Sequence, residues 1–594
     1  FNRANEHLAP APGAVARSMF GWSAALLGGM CLLLPAAVKT PRAAGSGAGR
    51  IRGRIRTIAA IFLAAVTTGM MLQAGRPSGP RRPGPVVLLK SAAFDMNVPS
   101  PGRFGSAQAG MMGMLPRYLA LDGHRVLVHE GEVTDEALSQ AAVVIAALPA
   151  SPWKPTELRA LEIYVRQGGS LIVLGDHTDL LGTMGPLNAL TSGWGITFQF
   201  DSAFPAAREW AGCLDAARRS WRINTGIGTG ASLRIGAGVR PMIIGRFGLA
   251  DAGNRANTGR GANLGDYAYQ PGEQLGDLVL AAGRNLGRGR VVVLGDTSSF
   301  QNLVLPFSYP FIASLFDDLA RPVAGFREAW SAGSGIAAAG LGVMALAGCV
   351  PAAAGLAMAV ATSALWAELI AGPSALDRIQ GDARVALIDA GHLNSYAREF
   401  WRDDSAGGLI VNLERAGYLP LMVDDPFDGH RLGHAALPVV VGPRRPLSNS
   451  ETRRLVAHIE HGGDLLVAAG ADEASSVAPL LWSFGLSIGG PPLGPVPVLA
   501  DMDRAAYEAG RRRPQFRRAW SVRHAEQGAP VAVRSLYSAF GFDVVVEAHR
   551  EGGGRLLLIA DSDFLTDRVL ESENDAWEGN VNLLSGMLRR EGGG

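Results

Sequence analysis

Short apolar runs alternate with amphipathic stretches over two long regions of the chain, residues 85–322 and 382–594. Runs such as 170–174 and 464–468 have the length of buried strands, and 156–167 and 448–461 have the periodicity of helices. Strands that alternate with helices are typical of a parallel sheet with helices on both faces. The pattern therefore predicts an α/β fold with two flavodoxin-like, doubly wound modules.

The second region repeats landmarks of the first in the same order. GRVVVLGDTSSFQN at 289–302 returns as GRLLLIADSDFLTD at 554–567, and Gly168-Gly169 returns as Gly462-Gly463. Asp95 is matched with Asp389, and Asp296 with Asp561. Repetition at this length indicates a duplicated unit. We expect a first module at 85–322, with a β-rich insertion at 195–285, and a second at 382–594.

Three further stretches are apolar without strand or helix periodicity. Residues 18–38 and 57–75 each have the length of a bilayer-spanning helix, and 334–372 is long enough for a helical hairpin. Residues 1–17 are expected to be a loose tail. The loop between the first two runs holds Lys39 and five arginines without an acidic residue, which indicates the cytoplasmic side. These features predict four transmembrane helices in a multi-pass bacterial inner-membrane protein with both modules extracytoplasmic; a cleaved signal peptide is the alternative for 18–38.

Composition narrows the classes of function. The 594 residues carry a net charge of +2, so no global field favours nucleic acid as a partner. The three cysteines, Cys31, Cys213 and Cys349, support neither a disulfide framework nor a cysteine-rich metal site. No phosphate-binding loop, dinucleotide fingerprint or zinc-protease motif is present in the sequence, and no cofactor or metal is expected.

Polar residues follow the predicted strands of the first module. Because the carboxyl ends of parallel strands meet at one edge of a sheet, we expect these side chains to form a ligand site there. Carboxylates beside an imidazole suit a metal ion or sugar hydroxyls, whereas the alternative for such residues is helix capping. The candidates are Asp95, Asn97, Asp176, His177, Thr178, Asn188, Asp296, Thr297, Ser298 and Asn302.

The second module offers a smaller set of ligand-binding candidates. They are Asp389, His392 and Asn394 in the run DAGHLN, together with Asp561 and Asp563. Ala471 stands where His177 stands in the first module. The second module is therefore expected to be the more degenerate copy or to bind a different partner.

These motifs resemble bacterial membrane-anchored proteins with class I glutamine amidotransferase-like domains. The residues that carry the resemblance are DAGHLN, the runs GGSLIV and GGDLLV, and the paired closing motifs. That group is related to gliding-motility ABC-transporter auxiliary subunits and to intraflagellar-transport-like domains. The resemblance implies amidotransferase-like modules, no catalysis and proximity to transport components.

In the amidotransferase fold a catalytic cysteine occupies a strained turn after a central strand. The predicted strands 170–174 and 464–468 are followed by GDH and AGA, without a cysteine or serine. We therefore expect no catalytic residue. The leading hypothesis is a membrane protein with two ligand- or partner-binding modules, auxiliary to an ABC-type transport or envelope-assembly system. The alternative is a metal- or acid/base-dependent hydrolase of a cell-envelope glycan or peptide, with Asp176, His177 and Asp296 in its site.

Overall fold

The computed structural model describes residues 81–322 and 383–589, together with Ile379. Short gaps interrupt these ranges at 90, 92, 106–108, 206–209, 211–213, 216–224, 254–263, 398–401, 497–509, 525–530 and 573–574. The tail at 1–17 and all the apolar stretches at 18–38, 57–75 and 334–372 lie outside the described residues. The three cysteines lie outside them as well.

Module one, residues 81–322, is built on a mixed sheet. Its strands are β1 (Val86–Leu89), β2 (Val126–His129), β3 (Val143–Ala147), β4 (Ser170–Leu174), β5 (Ile196–Phe198), β6 (Ser202–Pro205), β7 (Leu214–Asp215), β8 (Leu233–Ile235), β9 (Arg240–Asp251), β10 (Gln274–Leu286) and β11 (Gly289–Leu294). The sheet order is β2-β1-β3-β4-β11-β10-β9-β6, with β7 paired to β9, and β5 and β8 form a separate pair. The first five strands in that order, which are β2, β1, β3, β4 and β11, run parallel to one another. Strands β10, β9 and β6 extend the sheet with antiparallel pairing. The predicted β-rich insertion is this extension.

Helices cover both faces of the first sheet. They are α1 (Leu115–Ala120), α2 (Asp135–Ser139), α3 (Pro155–Arg166), α4 (Met184–Thr191) and α5 (Leu305–Leu319). Alternate strand residues point to opposite faces, so Val86 and Leu88 pack with α1 and α5, whereas Val87 and Leu89 pack on the side of α2 and α3. This arrangement buries continuous apolar strands on both sides, as parallel sheets require.

Module two, residues 383–589, repeats the plan. Its strands are β12 (Val385–Asp389), β13 (Leu419–Val423), β14 (Ala435–Val441), β15 (Leu465–Ala468), β16 (Leu486–Val496), β17 (Phe516–His524), β18 (Val531–Ala539), β19 (Phe542–Arg550) and β20 (Arg555–Ile559). The sheet order is β13-β12-β14-β15-β20-β19-β18, with β16 and β17 as a separate pair. Its helices are α6 (Gly407–Arg415), α7 (Gly429–His434), α8 (Asn449–Glu460), α9 (Ala474–Trp482) and α10 (Glu578–Leu588).

Each module contains the same backbone hydrogen bonds at equivalent strand ends, in addition to the same strand order. Leu148 N donates to Leu174 O at 3.0 Å, and Gly442 N donates to Ala468 O at 2.8 Å. After the next strand, Gly175 N donates to Leu294 O and Ala469 N to Ile559 O, each at 3.0 Å. Equal bonds at equal places identify the modules as structural copies, in agreement with the repeated sequence landmarks.

Helix α5 joins the two modules. Twelve of its fifteen residues are buried, because one hydrophobic cluster runs from sheet one through α5 into Leu419 and Leu421 of β13. A helix that is apolar on all sides is one that is covered on all sides. A polar contact adds to this packing, since Tyr118 Oη donates to Pro420 O at 2.8 Å.

Three predictions require correction. The α/β fold with parallel sheets is confirmed, but within residues 81–322 and 383–589 no helix is both long and apolar enough to cross a bilayer. That finding contradicts the predicted four transmembrane helices and the multi-pass inner-membrane location. The apolar residues Met111, Met114, Leu115 and Leu119 predict a helix over 105–122. The helix there is only α1, because the backbone at Gly110 has φ +74° and leaves the helical conformation.

The third correction concerns the pairing of Asp95 with Asp389. Leu88 of β1 pairs with Ile145, and the equivalent residue of β12, Ile388, pairs with Val439. Asp389 directly follows Ile388 and is the last residue of β12. Asp95 lies six residues beyond the end of β1, in an exposed loop. The two aspartates therefore occupy different places in the repeated unit.

Candidate functional site

The ends of the neighbouring strands β4 and β11 bring Asp176 and Asp296 together at the carboxyl edge of sheet one. Asp176 accepts hydrogen bonds from His177 N and Thr297 Oγ1, both at 2.8 Å. Asp296 accepts from Ser298 N at 2.7 Å and from Gly228 N at 2.6 Å. We call Asp176, His177, Asp296 and Thr297 the acidic corner.

The glycine-rich run TGIGTG at 225–230 explains how a backbone reaches Asp296. A Cβ at Gly230 would lie 2.6 Å from Asp296 Cβ, and Gly226 has φ +68°. Only glycine tolerates so close an approach and so positive a φ without strain. The insertion therefore closes over Asp296 and supplies one of its donors.

Burial, not a neighbouring cation, governs the charges of the acidic corner. Burial and the nearby Asp296 raise the pKa of Asp176 to about 8. Burial also raises the pKa of Asp296 to about 6. Burial lowers the pKa of His177, so its imidazole is neutral at pH 7 and does not balance the carboxylates. The Asp176–Asp296 pair therefore keeps a proton at a pH at which exposed aspartates are fully ionised.

The remaining candidates of module one have structural partners. Asn302 Oδ1 accepts from Met114 N at 2.8 Å, and its amide donates to Asn97 O and Ala109 O, so it fixes the loop before α1. Asp95 Oδ1 accepts from Asn97 N and from Met111 N within that loop. These residues shape the edge of the sheet and do not face the acidic corner as ligands.

Three other candidates also bind backbone or neighbouring side chains. Asn188 pairs with both the N–H and the carbonyl of Phe198 at 2.8 and 3.1 Å, which ties α4 to β5. Thr178 N donates to Asp201 O at 2.7 Å, and its hydroxyl lies 3.3 Å from His177 Nδ1. Ser298 contributes its backbone N–H to Asp296.

Module two places an ion triad at its carboxyl edge. His392 Nδ1 lies 2.9 Å from Asp389 Oδ1, and His392 Nε2 lies 3.3 Å from Glu451 Oε1. Only 1% of the His392 side chain is exposed. Hydrogen bonds to both carboxylates outweigh burial and raise the pKa of His392 to about 9, so the imidazole is cationic at pH 7. Its hydrogen bonds in turn help to lower the pKa of Glu451 to about 2 despite burial.

Asn394 and the second pair of aspartates complete this edge. Asn394 Nδ2 donates to Asp389 Oδ2 at 3.0 Å and to Val441 O at 2.8 Å. Asp561 accepts from Asp563 N and Arg518 N, both at 2.9 Å, which repeats the contacts of Asp296. The Arg518 guanidinium lies 3.3 Å from Asp563 Oδ2. Module two thus places cations beside Asp389, Glu451 and Asp563. Burial raises the pKa of Asp561 to about 6, as it does for Asp296 in module one.

Sequence reasoning missed Glu451 and Asp567. Glu451 forms a capping box with Ser448, and the sequence SNSE at 448–451 carries that signal, but nothing local to it indicates His392. Asp567 matches Asn302 in the repeated closing motif, and its Oδ1 accepts from Gly408 N at the start of α6. Burial raises the pKa of Asp567 to about 7.

The turns after the two central strands carry no nucleophile. Leu148 follows β3 with φ 41° and is fully buried, and Gly442 follows β14 with φ 50°. The turn with a positive φ therefore follows β3 and β14, whereas the sequence analysis expected the strained turn after residues 174 and 468. In the described part of the chain no three His, Cys, Asp or Glu side chains converge as a metal site.

Comparison with known proteins gives a partial assignment. The family described as "Domain of unknown function (DUF4350)" matches residues 412–578, which lie within module two. No curated protein matches the chain.

Solved structures resemble the chain only loosely. The mmIFT52 N-terminal domain is 16% identical with a TM-score of 0.28, and the match covers 40% of this chain and 96% of that domain. A ThuA-like protein from Bacteroides uniformis is 13% identical with a TM-score of 0.21, covering 35% and 91%. An exo-beta-1,4-mannosidase from an Opitutaceae bacterium is 13% identical with a TM-score of 0.22, covering 34% of each chain. The resemblance to glutamine amidotransferase-like domains is therefore loose.

Proposed function

We propose that the protein is a non-catalytic binding protein whose acidic corner receives a partner, while module two serves mainly as structural support. The observation that carries the proposal is the Asp176–Asp296 pair, whose carboxyl groups are buried together and whose raised pKa values have burial as their leading cause. A buried charge without a counter-charge is unfavourable, and a ligand that supplies one gains binding energy.

The acidic corner favours a group rich in hydrogen-bond donors. Asp296 is buried, whereas the Asp176 and His177 side chains retain 10% and 14% exposure. A lysine or arginine side chain of a partner protein provides both positive charge and donors. The partner class implied by the family resemblance, a component of an ABC-type transport or envelope-assembly system, is part of this proposal.

Capture of partners by the whole chain tests the proposal. The immobilised protein and its Asp176→Asn/Asp296→Asn variant would be compared in bacterial extracts, with Asp135→Asn as control because Asp135 is an exposed carboxylate at the start of α2. We expect a partner that is retained by the wild type and by the control and lost by the double variant. Finding no stable partner, or one that the double variant retains, contradicts the proposal.

One observation favours a second candidate, an acid/base hydrolase of a cell-envelope glycan or peptide. Two neighbouring buried carboxyl groups with raised pKa values can share one proton at neutral pH, so that one acts as an acid and the other as a base. This candidate predicts turnover of envelope fragments with a bell-shaped pH profile. Turnover that disappears in both Asp176→Asn and Asp296→Asn would replace the binding proposal by this one.

A further inference from the structure

A cavity of about 940 Å³ lies at the opposite, amino edge of sheet two, where module one meets module two. Its walls include Pro101 and Phe104 of module one and Arg384, Arg415, Tyr418 and Arg589 of module two. We call it the junction cavity. Arg384 directly precedes β12 and Tyr418 directly precedes β13, so the cavity is separate from the acidic corner at the carboxyl edge of sheet one.

The walls of the junction cavity are cationic. Three arginines and no aspartate or glutamate line it. The buried Glu571 neutralises Arg415 through a bidentate pair, in which Arg415 Nη2 donates to Glu571 Oε1 at 2.8 Å. Glu571 also accepts from Gly105 N, which fixes the adjoining loop of module one. Two guanidinium groups remain, those of Arg384 and Arg589.

The contacts of Arg384 are with uncharged groups. Its Nη2 donates to Tyr418 Oη at 2.5 Å, its Nη1 donates to Ala416 O at 3.4 Å, and its Cζ lies 4.0 Å from the centre of the Tyr418 ring. Stacking on an aromatic ring holds a guanidinium in place and leaves its charge available.

Arg589 is exposed at the end of α10, and within the described residues its guanidinium forms no hydrogen bond or ion pair. Two of the carbonyls at the helix ends that line the cavity already accept hydrogen bonds from arginines: Ala416 O from Arg384, and Arg589 O from Arg555 Nη1 at 3.2 Å. The charged side chains that line the cavity are therefore all positive.

Apolar groups form the rest of the wall. Phe104, Ala435, Val581 and Leu588 face the same space, with Asn582 and Ser585 as neutral polar neighbours. Cavities of this size accommodate a small organic molecule, and a few placed charges fix its orientation.

We propose that the junction cavity binds a small organic anion, with its carboxylate or phosphate between Arg384 and Arg589 and its apolar body against Phe104 and Leu588. Such a ligand touches both modules. This site is independent of the acidic corner, and its test does not depend on the partner proposed there.

Isothermal titration calorimetry of the full chain with phenyl phosphate tests this assignment. Inorganic phosphate supplies the charge without the ring, and phenol supplies the ring without the charge. We expect saturable binding of phenyl phosphate that is at least about tenfold tighter than binding of either fragment. Arg384→Gln and Arg589→Gln should each weaken it by about tenfold or more, as expected for loss of a charged hydrogen bond.

Arg453→Gln is the matched control, because Arg453 is an exposed arginine on α8, which covers the other face of sheet two from α6 and α10. Its affinity should equal that of the wild type. Arg589→Gln keeps the test decisive if the loss of stacking on Tyr418 destabilises Arg384→Gln. Absence of saturable binding, or unchanged affinity in Arg589→Gln, overturns the proposal.

Discussion

The carboxyl edges of the two sheets have the same strand order but hold different charged groups. In module one, Asp176 and Asp296 are buried side by side, and burial raises both pKa values. In module two, the His392 imidazolium lies between Asp389 and Glu451. The difference shows that one copy of the repeated fold buries two neighbouring carboxyl groups without a cation, whereas the other copy places an imidazolium between two of its carboxylates.

Removal of the His392 cation should have the largest effect. His392→Gln leaves the fully buried Asp389 carboxylate without its charged partner, and such losses typically destabilise a protein by about 3–5 kcal/mol. The histidine change at the acidic corner of module one, His177→Gln, removes a neutral ring and should destabilise by less than about 1 kcal/mol. Urea unfolding at pH 7 measures both. Equal losses of unfolding free energy in the two variants would contradict the proposed difference between the two carboxyl edges.

The triad also predicts a pH window. The pKa of His392 is raised to about 9, so its contribution is complete below its unfolded pKa of 6.5 and disappears as the pH rises through 9. The pKa of Glu451 is lowered to about 2, so its contribution is complete above 4.5 and disappears as the pH falls through 2. Both contributions are therefore complete between pH 4.5 and 6.5.

Glu451→Gln tests that window, because glutamine retains the capping contact with Ser448 N and removes only the charge. We expect a loss of about 3 kcal/mol at pH 6 that shrinks towards pH 10. Urea unfolding between pH 5 and pH 10 measures the change. A loss that stays constant over this range would show that capping, and not the ion triad, is the role of Glu451.

The turn that follows β14 in module two requires a glycine at position 442. A Cβ at Gly442 would lie 1.8 Å from Ser395 Oγ, and φ is 50° there. Gly442→Ala should therefore destabilise by about 2 kcal/mol. Gly429→Ala is the control, since a Cβ at this position would meet no atom within 4 Å and the residue occupies the start of α7. Thermal unfolding of the two variants distinguishes local strain from a general effect of alanine.

Much of the fold follows from local sequence. The strands 170–174 and 465–468 are short apolar runs, and the helices α3 and α8 lie within one residue of the predicted ranges at each end. Adjacent placement of Asp176 and Asp296 follows from the strand order of a doubly wound sheet, in which β4 neighbours β11. These features depend on periodicity and on one general topological rule.

Other features depend on contacts between distant residues. Glu451 reaches His392 only because α8 begins beside the turn that follows β12. Asn302 resembles a ligand in sequence, but it fixes the loop before α1, 188 residues away. The apolar run 305–319 indicates burial on all sides, whereas the identity of its second neighbour, β13, depends on the packing of the two modules. No local sequence pattern indicates which distant residues come into contact here.

The pH dependence of Asp176→Asn tests the central claim most directly, namely that the acidic corner is unbalanced. The pKa of Asp176 is raised from 3.8 to about 8, so its destabilising effect is absent below about pH 4 and complete above about pH 8. Denaturant unfolding of the wild type and of Asp176→Asn should show no advantage of the variant at pH 4 and a higher free energy of unfolding of the variant at pH 9, with a difference that grows as the pH rises between the two. A variant that is less stable than the wild type at pH 9, or a difference that does not change with pH, would contradict the account.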